Sequence, residues 1–254
     1  MNDPLRDEDV LLSLREVAEA MAPGLVVVVG AAALAHHRPR HARVTQDIDL
    51  AVALDPCAGR MPDGWTRENP PRQRWRDPQG RPIDIVPATP EFLARGSLDW
   101  PDGTRMSLVG FELVMRDSEQ LSEHGPSNLR VADLRALTVC KVVAWTDRPG
   151  DRSKDLGDLA TIFETYVESD QDRFHDEPDP ALEFEARAPF LLGTDLALRG
   201  FPEHVSAMRG FLSRAAHPDG RFAHLFLREA RARGDWDERL LTLRFDALRR
   251  GLDR

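Results

Sequence analysis

Two aspartates separated by one residue, Asp47 and Asp49, have the spacing best suited to chemistry in this chain. The surrounding apolar residues predict a β-strand. Successive side chains of a strand point to opposite faces, so both carboxylates are expected on one face, about 7 Å apart, while Ile48 and Leu50 enter the core. Neighbouring carboxylates repel each other unless a cation lies between them, and hard oxygen ligands suit Mg²⁺ or Mn²⁺. The pair therefore predicts a divalent-cation site.

A glycine turn precedes this acid pair. Residues 25–29 (Leu-Val-Val-Val-Val) predict a buried strand, and Gly30 with the small residues 31–35 predicts a turn into a helix. Because glycine has no Cβ, a phosphate can approach its backbone, and free N–H groups at a helix start attract anions. A phosphate-binding turn beside metal-binding acids predicts a site for a nucleotide and its metal.

The pair Gly30-Ala31 and the stretch 43–50 (Arg-Val-Thr-Gln-Asp-Ile-Asp-Leu) resemble the signature of the DNA polymerase beta-like nucleotidyltransferase superfamily, a Gly-Ser or Gly-Gly pair followed by Asp-x-Asp. The Arg-x-Thr-x-Asp-Ile-Asp form is most similar to the AbiE-type (AbiEii) nucleotidyltransferase toxins. The resemblance implies an α+β fold with a polymerase-beta-like mixed sheet, flanking helices and a helical C-terminal region. Ala31 departs from the signature, since it lacks the hydroxyl of serine.

The resemblance also implies an activity. A metal-dependent nucleotidyltransferase would move a nucleoside monophosphate from a nucleoside triphosphate to an acceptor hydroxyl, such as a tRNA 3′ end, as the toxin of a toxin-antitoxin pair. Backbone N–H groups at Gly30 and Ala31, together with Arg43 and Thr45, are expected to bind the triphosphate. The implied partners are the nucleotide, a tRNA or protein acceptor and a cognate antitoxin.

A basic loop at residues 36–43 lies between the turn and the acids, with three histidines and three arginines. Guanidinium groups match phosphate oxygens in geometry, so the loop is interpreted either as a contact for triphosphate or RNA phosphates or as a solvated turn. His37 and His41 have the spacing of a helical zinc pair, but Pro39 between them argues against a continuous helix.

Asp84 is the only charged residue of the predicted strand 82–87. Carboxylates are seldom buried without a partner, so Asp84 is expected either to face a metal or to meet an arginine from the preceding hairpin. The superfamily takes a third acid from a strand after the Asp-x-Asp strand, and Asp84 is similar to it in position. The resemblance thus implies that Asp47, Asp49 and Asp84 together hold the metal.

Lys141 is the only charged residue in the apolar run 136–146, within a helix predicted over residues 132–147. Its ammonium either extends to solvent or points into a polar pocket, where a triphosphate would be an anionic partner. The resembled family has a catalytically needed lysine on such a helix. The next helix begins near Asp155 and Asp158; acids in a first turn commonly interact with the helix dipole, but the toxin branch has an active-site aspartate here. Asp155 is expected to face inward more than Asp158.

The sequence predicts two domains, residues 1–168 with the nucleotidyltransferase site and residues 181–254 with helices only, joined by a polar linker at 169–180. A helix is predicted over residues 7–22. Further strands are predicted at 72–76, within 104–116 and at 128–131. Four C-terminal helices are predicted at 182–198, 203–215, 221–231 and 236–252.

Composition bounds the remaining classes. The 254 residues include 41% hydrophobic ones, and the net charge of −9 argues against non-specific coating of nucleic acid. Two cysteines, Cys57 and Cys140, make no disulfide framework, and the longest apolar run, 25–35, is too short for a bilayer. A cytoplasmic protein without a membrane segment is expected.

Two rival functions fit the same residues. In the first, the chain is a catalytically silent nucleotidyltransferase-like antitoxin or regulatory binding protein that acts through its helical tail. In the second, the acids serve a metal-dependent phosphohydrolase. Release of pyrophosphate, of simple phosphate, or of neither separates the three.

Overall fold

The fold is known from a computed structural model that describes residues 3–55, 61–68, 73–100, 103–178, 180–215 and 220–254. The protein is α+β, with a mixed seven-stranded sheet and helices that continue to the C-terminus of the described chain. It divides into two compact units, an N-terminal unit (Met1–Cys140) and a C-terminal unit (Lys141–Arg254). Sequence analysis placed the division at 169–180 instead.

The strands all belong to the N-terminal unit. In chain order they are β1 (Val26–Val29), β2 (Ile48–Val52), β3 (Thr66–Arg67), β4 (Arg74–Arg76), β5 (Pro82–Pro87), β6 (Ser97–Asp99), β7 (Arg105–Ser107), β8 (Glu119–Gln120) and β9 (Leu129–Val131). Strands β6 and β7 form a separate hairpin, and the described strands of the large sheet have the order β3-β4-β5-β2-β1-β9-β8.

The two central strands of the large sheet carry the sequence signals of the predicted site. Strand β1 runs antiparallel to β2 and parallel to β9, and β2 runs parallel to β5. All four valines of β1 are buried, as expected for a strand covered on both faces. Ile48 and Leu50 of β2 are buried as predicted. The strands predicted at 82–87 and 128–131 are confirmed, and β4 lies within the one predicted at 72–76, whose residue 72 is outside the described part.

The helices follow in both units. In chain order they are α1 (Glu8–Ala20), α2 (Gly30–His37), α3 (Pro90–Arg95), α4 (Phe111–Asp117), α5 (Leu134–Asp147), α6 (Ser153–Thr165), α7 (Gln171–Asp176), α8 (Phe184–Arg199), α9 (Pro202–Ala215), α10 (Arg221–Arg231) and α11 (Glu238–Leu252). The helices predicted at the start of the chain, around Lys141 and over the last quarter are confirmed. None of the helices in the described residues has the length and apolar character needed to cross a membrane.

The prediction of strands throughout residues 104–116 is wrong in its second half. Only β7 is extended, and α4 follows it. Gly110 has φ +98°, a conformation that favours glycine, and it redirects the chain into the helix. Phe111, Leu113 and Val114 are buried, so the apolar residues of this segment form one face of a helix rather than a strand.

The C-terminal unit is helical in its described residues and has an aromatic core. Ring centroids of Phe226 and Phe245 lie 5.0 Å apart, and those of Trp145 and Phe222 lie 5.1 Å apart. The segment predicted as a linker contains α7, and its Phe174 is buried. Phe174 belongs to an apolar cluster that includes Leu182 of the following segment, so this stretch packs as part of the unit.

The two cysteines of the chain were expected to form no disulfide framework. Cys140 is a thiol and not part of a disulfide, and Cys57 lies outside the described residues.

Candidate functional site

Two predicted acids and an arginine form a row across three adjacent strands. Asp49 on β2 is the register partner of Asp84 on β5, and Asp84 is in turn the partner of Arg74 on β4. Side chains at paired positions of a sheet point to the same face, so all three project from one face of the sheet. The structure therefore brings together two acids that are 35 residues apart in the sequence (84 − 49).

Asp47 joins this row from just outside the strand. Sequence analysis placed it on the strand with Asp49, but β2 begins at Ile48, whose register partner is Ile83. Asp47 is in the bend before the first paired residue, with 43% of its side chain exposed, whereas Asp84 has 15% exposed. Its carboxylate nevertheless approaches the row, because it lies 3.6 Å from the Arg74 guanidinium.

Arg74 connects two of the acids. Its Nε donates to Asp84 Oδ1 at 2.8 Å and its Nη2 to Asp84 Oδ2 at 2.9 Å, the paired geometry that guanidinium and carboxylate groups favour. The same Nη2 is 3.6 Å from Asp47 Oδ2. The hydrogen bond from Arg74 to Asp84 raises the pKa of Arg74. Asp84 thus meets an arginine of the preceding hairpin, which was one of its two predicted environments.

Gly30 lies directly against the Asp49 carboxylate. Val29, the last residue of β1, is the register partner of Asp49, and α2 begins at Gly30 with φ +67°. A Cβ at Gly30 would lie 2.1 Å from Asp49 Oδ2, far closer than two such atoms can approach. The side chain of Val29, the residue before the helix, carries no polar atom that could cap the first N–H groups of α2, so these donors are suited to an anion.

Substitution of Gly30 tests this close contact. We expect Gly30→Ala to lower the free energy of unfolding by about 1–2 kcal/mol for the left-handed backbone alone, with a further loss because Asp49 must move. Gly80→Ala is the matched control, since Gly80 has φ +81° and nothing lies within 4 Å of its added Cβ. Urea unfolding of both variants measures the difference. Equal losses would show that the contact with Asp49 has no energetic consequence.

Thr45 and Arg43 act on Asp47. The Thr45 hydroxyl donates a hydrogen bond of 2.7 Å to Asp47 Oδ1. Partial burial would raise the pKa of Asp47, but the hydrogen bonds from Thr45 and from the Asp47 backbone, with the charges of Arg74 and Arg43, lower the pKa below its usual value. Asp47 is therefore held as a carboxylate. Both residues were predicted to bind the nucleotide; the structure places them beside the acid that would hold its metal.

The carboxylates suit a divalent cation of the Mg²⁺ or Mn²⁺ type in their chemistry, but Asp47, Asp49 and Asp84 do not each place an oxygen within 4.8 Å of the other two. Asp47, Asp49 and Asp84 supply carboxylate oxygens, the ligands that these hard cations prefer. Gly30 leaves room beside Asp49 that any other side chain would fill. Arg74 already lies between two of the acids as a positive charge.

Lys141 has two aspartates as partners in the C-terminal unit. Its Nζ lies 2.6 Å from Asp158 Oδ2 and 3.3 Å from Asp155 Oδ1, and Arg152 Nε donates to Asp155 Oδ2 at 2.8 Å. Lys141 is only 4% exposed, so its ammonium does not extend to solvent. Both aspartates face inward, although Asp155 was expected to do so more than Asp158. The anionic partner that a buried lysine requires is thus supplied by α6.

The segment predicted as a basic loop begins within helix α2 and continues beyond its end. Residues 36 and 37 end α2, and the chain leaves the helix at Arg38, as Pro39 predicted. The Nε2 of His37 hydrogen bonds to the Ala132 carbonyl oxygen at 2.8 Å, and burial lowers the pKa of this ring. His37 is therefore a neutral link between α2 and the end of β9. A helical zinc pair with His41 does not form.

Arg74 is the residue that the sequence analysis did not single out. A signal was available, because Arg74 and Arg76 alternate on a predicted strand next to the one that carries Asp84. An antiparallel hairpin between these strands places alternate arginines on the face of the acid. Only the register of the pairing shows which arginine meets Asp84.

Comparison of the chain with protein-family models, with curated proteins and with solved structures found no match. A functional assignment therefore depends on the geometry of the site.

Proposed function

We propose that this protein is a metal-dependent nucleotidyltransferase of the polymerase beta-like superfamily, most similar to the AbiE-type toxins, which moves a nucleoside monophosphate from a nucleoside triphosphate to an acceptor hydroxyl. One observation carries the proposal. The helix start at Gly30 lies against Asp49, and Asp49 is in register with Asp84 on the next strand. A phosphate-binding turn beside two acids on adjacent strands is the arrangement that nucleotide transfer requires.

The topology around the turn supports this proposal. The chain runs from β1 through Gly30 into α2 and returns antiparallel along β2, so that both halves of the signature end beside each other. Strand β5 then adds Asp84 parallel to β2. Three short segments, far apart in the sequence, thus supply one small area of the sheet.

Each residue has a task that its environment supports. Asp49 and Asp84 sit on paired strands, which fixes their separation, and Asp47 is kept ionised by Thr45 and the nearby arginines. A bound Mg²⁺ or Mn²⁺ would supply charge neutralisation for the phosphates and a lower pKa for the acceptor hydroxyl. The backbone N–H groups of Gly30 and Ala31 would bind phosphate oxygens and orient the triphosphate. Ala31 adds no hydroxyl, so this binding would rest on the backbone.

Lys141 and its partners have a separate place in the proposal. The resemblance assigns Lys141 the task of offsetting charge on the leaving pyrophosphate, and within the C-terminal unit its ammonium pairs with Asp155 and Asp158. The acceptor is proposed to be a tRNA 3′ end, with a protein hydroxyl as the other candidate. A cognate antitoxin and a cytoplasmic location belong to the same proposal.

The direct test uses the full chain with Mg²⁺, each of the four α-labelled ribonucleoside triphosphates, and either bulk tRNA or a protein extract. We expect label to enter one acceptor class with one preferred nucleotide, and pyrophosphate to be released in equal amount. Asp99→Asn is the control, because Asp99 is an exposed strand carboxylate outside the site. Nucleotide binding without pyrophosphate release would instead support the silent regulator, and release of free phosphate from simple esters a phosphohydrolase.

A further inference from the structure

Arg74 lies between Asp84 and Asp47, two of the three acids proposed to hold a cation. Two of its N–H groups bind both oxygens of Asp84, and Nη2 also approaches Asp47. A dication close to these oxygens would stand beside a guanidinium charge, and the two positive charges would repel each other. The observed Arg74 pairing and binding of a dication by Asp84 therefore oppose each other.

The charges around the cluster explain why the arginine is there. Asp49 and Asp84 are register partners on adjacent strands, and Asp47 adds a third carboxylate nearby. Like charges placed opposite each other destabilise a sheet. Arg74 is the positive side chain that continues this row on β4, and it reduces the repulsion when no metal is bound.

The surroundings of Arg74 allow its side chain to rotate away from Asp84. Its side chain is 28% exposed, and β4 is followed in the sheet only by the short described strand β3. Glu68, next to the end of β3, donates its backbone N–H to the Arg74 carbonyl at 2.9 Å. Its carboxylate pairs with Arg76 and also attracts the Arg74 guanidinium. A rotation of the Arg74 side chain away from Asp84 would thus keep it near a second carboxylate.

We propose that Arg74 is an exchangeable counterion: it holds Asp84 and Asp47 together in the metal-free protein, and it leaves Asp84 when a divalent cation binds. This inference rests on the proposed function, because it assigns the cation to the same three acids. The competition sets the metal affinity. It makes the site bind a free cation weakly. A cation that arrives bound to a triphosphate binds more tightly, because the phosphates can pair with the displaced guanidinium.

The experiment measures Mn²⁺ binding to the full chain by the loss of the free-ion EPR signal. We expect Arg74→Met to bind Mn²⁺ about tenfold more tightly than the wild type, since a charged hydrogen-bonded pair no longer competes. In EDTA we also expect Arg74→Met to have a lower Tm than the wild type, and on adding Mn²⁺ its Tm should rise by more than that of the wild type. Arg105→Met is the control, because Arg105 lies on the separate hairpin of β6 and β7, where its ion pair is with Asp99. Its Mn²⁺ affinity should stay within about twofold of the wild type.

The outcomes separate this inference from the proposed function. Equal or weaker Mn²⁺ binding by Arg74→Met would overturn the exchange. The proposed metal site would still stand in that case if Asp49→Asn lost the Mn²⁺ binding that the wild type shows. Absence of Mn²⁺ binding in the wild type and in Arg74→Met would overturn both. If Arg74→Met does not fold, Arg74→Lys replaces it. Lysine keeps the charge but cannot pair with both oxygens, so a smaller gain in affinity is expected and an unchanged affinity would overturn the exchange.

Discussion

Asp49→Asn lowers the rate of nucleotide transfer at least about a thousandfold. A metal held by a carboxylate contributes several kcal/mol of transition-state stabilisation, and about 1.4 kcal/mol corresponds to a factor of ten in rate. Asparagine has nearly the same size as aspartate but no charge, so the contact with Gly30 remains while the metal ligand is lost. The measurement is pyrophosphate release under conditions in which the wild type transfers label.

The fold of this variant must be shown to be intact. Its far-UV circular dichroism and its cooperative thermal unfolding should match those of the wild type, because asparagine keeps the size of aspartate beside Gly30. Asp99→Asn should keep full activity, since its carboxylate is on the separate hairpin. Transfer by Asp49→Asn at more than about a tenth of the wild-type rate would remove Asp49 from the proposed chemistry.

Lys141→Met destabilises the protein by about 3–5 kcal/mol. The substitution leaves two buried aspartates without the ammonium that lies 2.6 Å from one and 3.3 Å from the other. Asp155 keeps Arg152 at 2.8 Å, and Arg233 lies 4.0 Å from Asp158. Chemical unfolding followed by the far-UV circular dichroism of the helices measures the loss.

A double variant separates loss of the pair from loss of packing. Lys141→Met combined with Asp158→Leu also removes the carboxylate that lies nearest to the ammonium, and we expect it to recover more than half of the stability lost in the single variant. Glu168→Ala with its exposed side chain serves as a control for the α6 region and should change stability little. A single variant as stable as the wild type would mean that the aspartates are not held by Lys141.

Much of the architecture could be predicted, because long apolar patterns determine it. The valine run of β1, the proline-bounded β5 and the helix around Lys141 each bury most of their apolar side chains. The acids were identified from their spacing. Their mutual approach needed the register of β2 against β5, which depends on pairing between distant segments and is not written in any local pattern.

The features that the sequence did not predict correctly have related causes. Strands β3 and β8 contain two residues each, so partners rather than propensity define them. The apolar residues of α4 fit the two-residue period of a strand as well as the 3.6-residue period of a helix, and the positive φ of Gly110 directs the chain into the helix. For Lys141 the sequence offered a triphosphate as the anion, whereas α6 supplies two aspartates 14 and 17 residues further along the chain. Composition suggested a linker at 169–180, but Phe174 is buried there.

The pairing of β5 has a consequence for how the sheet assembles. Ile83 and Asp84 alternate on this strand, with Ile83 1% exposed in the core and the carboxylate on the opposite side. Slippage by one residue would exchange them and place a carboxylate in the apolar interior, at a penalty on the order of several kcal/mol. Asp84 therefore discriminates against misaligned chains during folding. A variant at this position that loses activity need not have lost a metal ligand; it can instead have lost the correct alignment.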